Sequence, residues 1–191
     1  MAEVLLFHHV LGRTAGVEAL ADDLRAAGHT VHVPDLYGGR TFTSIEDGFA
    51  YGQTVDQAAL ADAAAAELPA DIVHAGISAG VMHAQRLAQT RTGARGAVLI
   101  EGCLPLTGEW AVGPWPDGVP VQIHGKDADP YFAGEGDLDA ARELVETVGP
   151  DAELFLYPGD GHLFVDRSLP TFDAGATQLL VSHVVEFLDR L

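Results

Sequence analysis

Gly76-Ile77-Ser78-Ala79-Gly80 is the stretch on which the reading of this chain turns. It follows an apolar run, Ile72-Val73-His74-Ala75, and precedes a helical pattern over 81–90. A serine with glycines two positions away on either side suits a tight strand-to-helix turn, a nucleophile elbow, in which the chain reverses without side-chain collision. Such a turn lifts the hydroxyl clear of the strand end and sets it at a helix N-terminus. The unpaired N–H groups there stabilise a developing oxyanion. The five letters alone are a weak signal; the strand before and the helix after give it weight.

Working outward, short apolar runs alternate with helical stripes along the whole chain. Val4-Leu5-Leu6-Phe7 reads as a first buried strand, after which Val17, Leu20 and Leu24 share a helical face that ends at Gly28. Val31-His32-Val33-Pro34 is a second strand, and a loop from 35 to about 44 follows. An alanine-rich helix is expected from about 55 to 67, stopping before Pro69. Beyond the elbow, Ala97-Val98-Leu99-Ile100 and Val121-Gln122-Ile123-His124 are further strands. Leu138, Ala141, Leu144, Val145 and Val148 form a helical stripe closed by Gly149-Pro150. Leu154-Phe155-Leu156-Tyr157 is the sixth strand, and Leu180, Val184, Phe187 and Leu191 give a last helix its apolar side.

Continuous apolar strands separated by helices describe one α/β domain over 1–191. Its mostly parallel, doubly wound sheet has about six strands and helices on both faces. Functional groups then gather at the carboxyl ends of the strands. The Pro- and Trp-containing stretch 104–120 is expected to be an irregular loop over one end of the sheet.

Composition narrows the function classes. A formal charge of −18, from 10 basic and 28 acidic residues, repels nucleic acid and anionic lipid. No apolar run is long enough to span a membrane, and Met1-Ala2-Glu3-Val4 has no basic leader character, so a cytoplasmic protein is expected. The single cysteine, Cys103, excludes an internal disulfide and a cysteine zinc cluster, and reads as a small buried residue. Nine histidines occur without a His-Glu-x-x-His pattern, so no metal site is expected. No Gly-x-Gly-x-x-Gly follows the first strand, which argues against a dinucleotide-binding domain.

A serine hydroxyl needs a base to take its proton. His162, in the glycine-rich segment after the sixth strand, is the candidate. The imidazole needs an acid, and Gly125-Lys126-Asp127-Ala128-Asp129-Pro130 offers two; Asp129 is preferred over Asp127. The chain order Ser78, Asp129, His162 is that of α/β-hydrolases. The N–H groups of Ala79, after the serine, and Val10, in the loop after the first strand, are the expected oxyanion donors. His9 either reaches the pocket or only packs at the strand end. Tyr37, Trp115 and Tyr131 are candidate pocket walls.

The chain resembles the dienelactone hydrolase family. The likeness rests on Phe7-His8-His9-Val10-Leu11-Gly12, Pro34-Asp35-Leu36-Tyr37-Gly38-Gly39, the elbow, His124-Gly125, and Tyr157-Pro158-Gly159-Asp160-Gly161-His162-Leu163-Phe164. The resemblance implies hydrolysis of an ester or lactone through an acyl-enzyme, with no metal or organic cofactor. Two positions depart from the family pattern. The type enzymes carry a cysteine at the elbow and a glutamate in the loop after the first strand; here Ser78 and His9 stand in those places. A glutamate that serves thiolate formation is dispensable to a serine, so the two changes are coherent, but the dienelactone substrate does not carry over. Arg13, Arg40 and Arg167 form no evident pair for a substrate carboxylate.

The expectation is therefore a serine hydrolase acting on a small ester, lactone or thioester, as a monomer or homodimer. Acyl transfer on the same three residues, or a non-catalytic ligand-binding relative, are the alternatives.

Overall fold

A computed structural model describes all residues 1–191. Six strands form one sheet: β1 (Glu3–Phe7), β2 (Thr30–His32), β3 (Val73–Ile77), β4 (Gly96–Ile100), β5 (Val121–Lys126) and β6 (Ala152–Tyr157). Their spatial order is β2-β1-β3-β4-β5-β6, and every pairing is parallel. Alternate residues of each central strand enter opposite cores. Val4 and Leu6 face α1 (Ala15–Ala26) and α6 (Ala174–Arg190), whereas Leu5 and Phe7 face the other side. That other side is covered by α3 (Gln57–Ala66), α4 (Val81–Thr90) and α5 (Asp137–Val148). The two cores hold 25 and 23 buried residues, so neither face is solvent-exposed and the strands read as unbroken apolar runs. No helix is long and apolar enough to cross a membrane.

The chain leaves β1 toward β2 on one side and returns to β3 on the other. The ends of β1 and β3 therefore flank a topological switch point, where a crevice opens in α/β sheets. Ser78 lies at one lip of that crevice and His8 to Val10 at the other.

Two stretches differ from the sequence expectation. The alanine-rich helix is confined to Gln57–Ala66, started by the Asp56 side chain accepting from Ala59 N–H. An additional helix, α2 (Ile45–Gly52), occupies residues to which the sequence reading assigns no element, capped by Ser44 accepting from Asp47 N–H. Its Gly48 and Gly52 weaken the helical signal by about 1 kcal/mol each relative to alanine. Both are buried for a packing reason. A Cβ at Gly48 would collide with the Val10 carbonyl oxygen, and one at Gly52 would sit 2.6 Å from the Tyr37 hydroxyl. The glycines let α2 press against the loop after β1. Segment 104–120 is irregular, as expected.

Candidate active site

The elbow is built as its sequence requires. β3 ends at Ile77, a single 3-10 turn spans Ser78–Gly80, and α4 begins at Val81. Ser78 has φ of 49°, a left-handed conformation that costs a non-glycine residue on the order of 1–3 kcal/mol. A Cβ at Gly76 would strike Gly80, and one at Gly80 would lie 2.6 Å from the His8 carbonyl oxygen. Glycine at both positions lets the turn close on itself and against the end of β1.

Ser78 Oγ lies 2.9 Å from His162 Nε2, and His162 Nδ1 lies 2.7 Å from Asp129 Oδ2. The carboxylate accepts the Nδ1–H, which leaves Nε2 free to accept the serine proton. Asp129 is fully buried, and its other oxygen accepts from Tyr131 N–H at 2.9 Å. Asp127 is exposed and staples the neighbouring turn by accepting from Gly159 N–H at 3.0 Å. The structure thus brings Asp129, and not Asp127, to the imidazole.

A cleft of about 520 Å³ opens above Ser78, with Val10, Ala79 and His162 on its wall. The ring of His9 fixes the loop that carries Val10. Its Nδ1 accepts from Leu11 N–H at 3.2 Å, and its Nε2–H donates to Asp166 at 2.8 Å. Gly12 N–H is also taken, by the His9 carbonyl, while Val10 N–H has no backbone acceptor. Val10 and Ala79 both line the cleft beside Ser78.

Two expectations about the pocket, Tyr37 and Trp115, need correction, and of the two readings open for His9 the packed one is found. His9 is fully buried and does not line the cleft; it packs beneath the loop after β1, held by Asp166. Tyr37 is buried behind the same loop, edge-on to His8 with ring centroids 4.9 Å apart, its hydroxyl donating to Gly48 O. Trp115 is folded into the α4 face of the core, with Nε1–H donating to Val119 O at 2.7 Å. Large aromatic surfaces gain most by full burial when a polar partner is also available, and both rings find one. Tyr131 does line the cleft, 4.6 Å from the His162 ring, and is 37% exposed.

The walls not anticipated from sequence are Ile45, Glu46 and Phe49 of α2, Met82 of α4, Glu101, Leu104, Glu135 and Asp137. Apolar side chains dominate, every charged wall residue is a carboxylate, and no lysine or arginine is present. Cys103 is buried, and burial pushes its thiol well above the ordinary range, so it offers no competing nucleophile.

Two buried acids also escaped the sequence reading. Asp166 accepts from His9, from Thr14 Oγ1 at 2.5 Å and from Ser168 Oγ at 2.5 Å. Burial alone would raise its carboxyl, but these hydrogen bonds outweigh burial and lower it to about 2. Glu101, directly after β4, is raised well above the carboxylate range by burial and by the charge of Asp129. Glu101, Asp129 and His162 each present a ligand atom within 4.8 Å of the others, a set able to hold a metal ion. A cation there would displace the proton that orients the imidazole. Both acids are single letters among 28 acidic residues. The one cue to Glu101 is its place, a charge ending an apolar strand.

No protein-family model matches the sequence, and no curated protein sequence does. Solved structures do. A candidate dienelactone hydrolase from Klebsiella pneumoniae superposes with a TM-score of 0.77 at 16% identity, over 100% of this chain and 88% of that one. A dienelactone hydrolase-like promiscuous phosphotriesterase from metagenomic libraries gives 0.75 at 18%, over 100% and 87%. Esterase 2 of Thermogutta terrifontis, in a phosphonylated form, gives 0.68 at 19%, over 98% and 85%. At these identities the likeness is one of fold, and the fold is that of the α/β-hydrolases.

Proposed function

We propose that this chain is a serine hydrolase that cleaves a small carboxylic ester, lactone or thioester through an acyl-enzyme. The observation that carries the reading is the unbroken hydrogen-bonded line from the strained Ser78 hydroxyl through His162 to buried Asp129. The fold neighbours named as esterases and dienelactone hydrolases support it.

In the reaction, Ser78 Oγ attacks the substrate carbonyl carbon while His162 Nε2 takes the hydroxyl proton. The carbonyl oxygen becomes an oxyanion held by the N–H groups of Ala79 and Val10. Asp129 stabilises the imidazolium that forms. Collapse breaks the bond to the leaving alkoxide or thiolate, which receives the proton from His162. Water then attacks the acyl-serine with His162 again as base, releasing the acid and restoring Ser78.

The cleft favours one substrate class. Ile45, Phe49, Met82 and Leu104 offer an apolar wall, and Glu46, Glu135 and Asp137 place only negative charge around it. A neutral or cationic ester with a short apolar acyl group fits, and an ester bearing its own carboxylate is repelled. Turnover of p-nitrophenyl butyrate and of p-nitrophenyl hemisuccinate tests this. The parent chain is expected to hydrolyse the butyrate and to prefer it over the anionic ester. Ser78→Ala should lower the butyrate rate by about 10⁴-fold or more with the fold retained. Equal rates from parent and variant would exclude the assignment.

A further inference from the structure

Three residues other than glycine have a left-handed backbone: Ser78, Glu101 and Leu163, with φ of 49°, 56° and 61°. They directly follow β3, β4 and His162, so all the strained positions of this kind meet at one site. Ser78 and His162 already have roles there. Glu101 does not.

Its side chain is fully buried at the floor of the cleft. Oε1 accepts from Phe164 N–H at 3.4 Å and lies 3.8 Å from His162 Nδ1. Oε2 has no partner at all. Leaving a buried carboxyl oxygen unpaired is costly, so its retention in a strained conformation calls for a use. We propose that Glu101 is a second acid of this site: a positioning residue that braces the His162 loop and receives the imidazole Nδ1–H when Asp129 cannot. The proposal rests on the serine hydrolase reading.

The charged and titratable groups around Glu101 explain the division of labour. Asp129 and Lys126 approach from β5 and the loop after it, and His162 from the loop after β6. Burial disfavours a charge on Glu101, and a negative charge on Asp129 beside it disfavours one further. Replacing Asp129 by a neutral side chain removes the second of these penalties and leaves Glu101, 3.8 Å from Nδ1, as the acid that faces the imidazole.

The test compares the parent with Asp129→Asn, Glu101→Gln and the double variant, reading kcat for p-nitrophenyl butyrate from pH 5 to 9. Losing a triad acid that has no substitute costs about 10⁴-fold. Asp129→Asn is expected to lose only about 100-fold, and Glu101→Gln about tenfold, from the loosened His162 loop. The double variant should fall about 10⁴-fold or further, at least tenfold beyond the product of the single losses. The pH profile of Asp129→Asn should also differ from the parent's, because a different acid then faces Nδ1, and the double variant should not share that profile. Glu101→Met, which keeps the bulk, repeats the comparison if the glutamine variant does not fold. Asp129→Asn falling as far as the double variant overturns the proposal while leaving the hydrolase reading intact. A folded parent without turnover removes both.

Discussion

The molecule contains two buried histidine–aspartate pairs, and they behave differently. His162 and Asp129 meet at 2.7 Å, His9 and Asp166 at 2.8 Å. What separates them is the second ring nitrogen. That of His162 points at the Ser78 hydroxyl, on the wall of an open cleft. That of His9 is occupied by Leu11 N–H, with both side chains at 0% exposure. The first pair is free to exchange a proton with an outside molecule; the second is closed on every side and serves only as a strut between the loop after β1 and the segment after His162. A His–Asp contact is therefore no sign of catalysis until the far nitrogen is followed.

Substitution should pull the pairs apart. His162→Gln, whose amide can still donate to buried Asp129 but cannot act as a base, is expected to reduce kcat by about 10⁴-fold or more while leaving the melting temperature close to the parent's. His9→Leu should do the reverse. It strands the Asp166 carboxylate in the core, at a cost of about 3 kcal/mol, while lowering kcat by about tenfold or less. Paired melts and rate measurements on the two variants check this, and equal loss of activity in both would erase the distinction.

The strut should also set an acid limit. The folded-state pKa of Asp166 is depressed to about 2, so its contribution is fully present above the unfolded value, near 4. It is lost as pH falls from about 5 to 2, and amounts to about 2 kcal/mol. Melting curves between pH 6 and 2.5 should show this loss in the parent and not in Asp166→Asn. The smallest effect concerns the cleft rim: Glu135→Lys should raise kcat/KM for the hemisuccinate ester by about tenfold at low salt, and by less as salt is added.

Much of this was open to reading from residues alone, for physical reasons. A parallel sheet covered on both faces writes its strands as uninterrupted apolar runs, and the elbow needs glycine at two fixed offsets. Loop position after strand ends then located Ser78, Asp129, His162, Val10 and Ala79. What stayed hidden depends on three-dimensional packing. Gly48 and Gly52 disguise α2 because they answer to contacts with Val10 and Tyr37, not to helix propensity. Tyr37 and Trp115 look like pocket walls until their burial is known. Asp127 and Asp129 share one loop, where the sequence favours Asp129 without excluding Asp127, and the tight turn through Tyr131 buries one and exposes the other. Glu101 and Asp166 carry no local pattern, since a buried acid is recognised by its partners.

The claim on which the rest stands is that Ser78 is an activated nucleophile. Treatment with a fluorophosphonate, followed by peptide mass spectrometry, examines it without any knowledge of the substrate. The expected result is one phosphonyl adduct on the peptide carrying Ser78, abolished in Ser78→Ala and strongly slowed in His162→Ala. Folded parent protein that takes up no adduct, or takes it up on another side chain, would contradict the account.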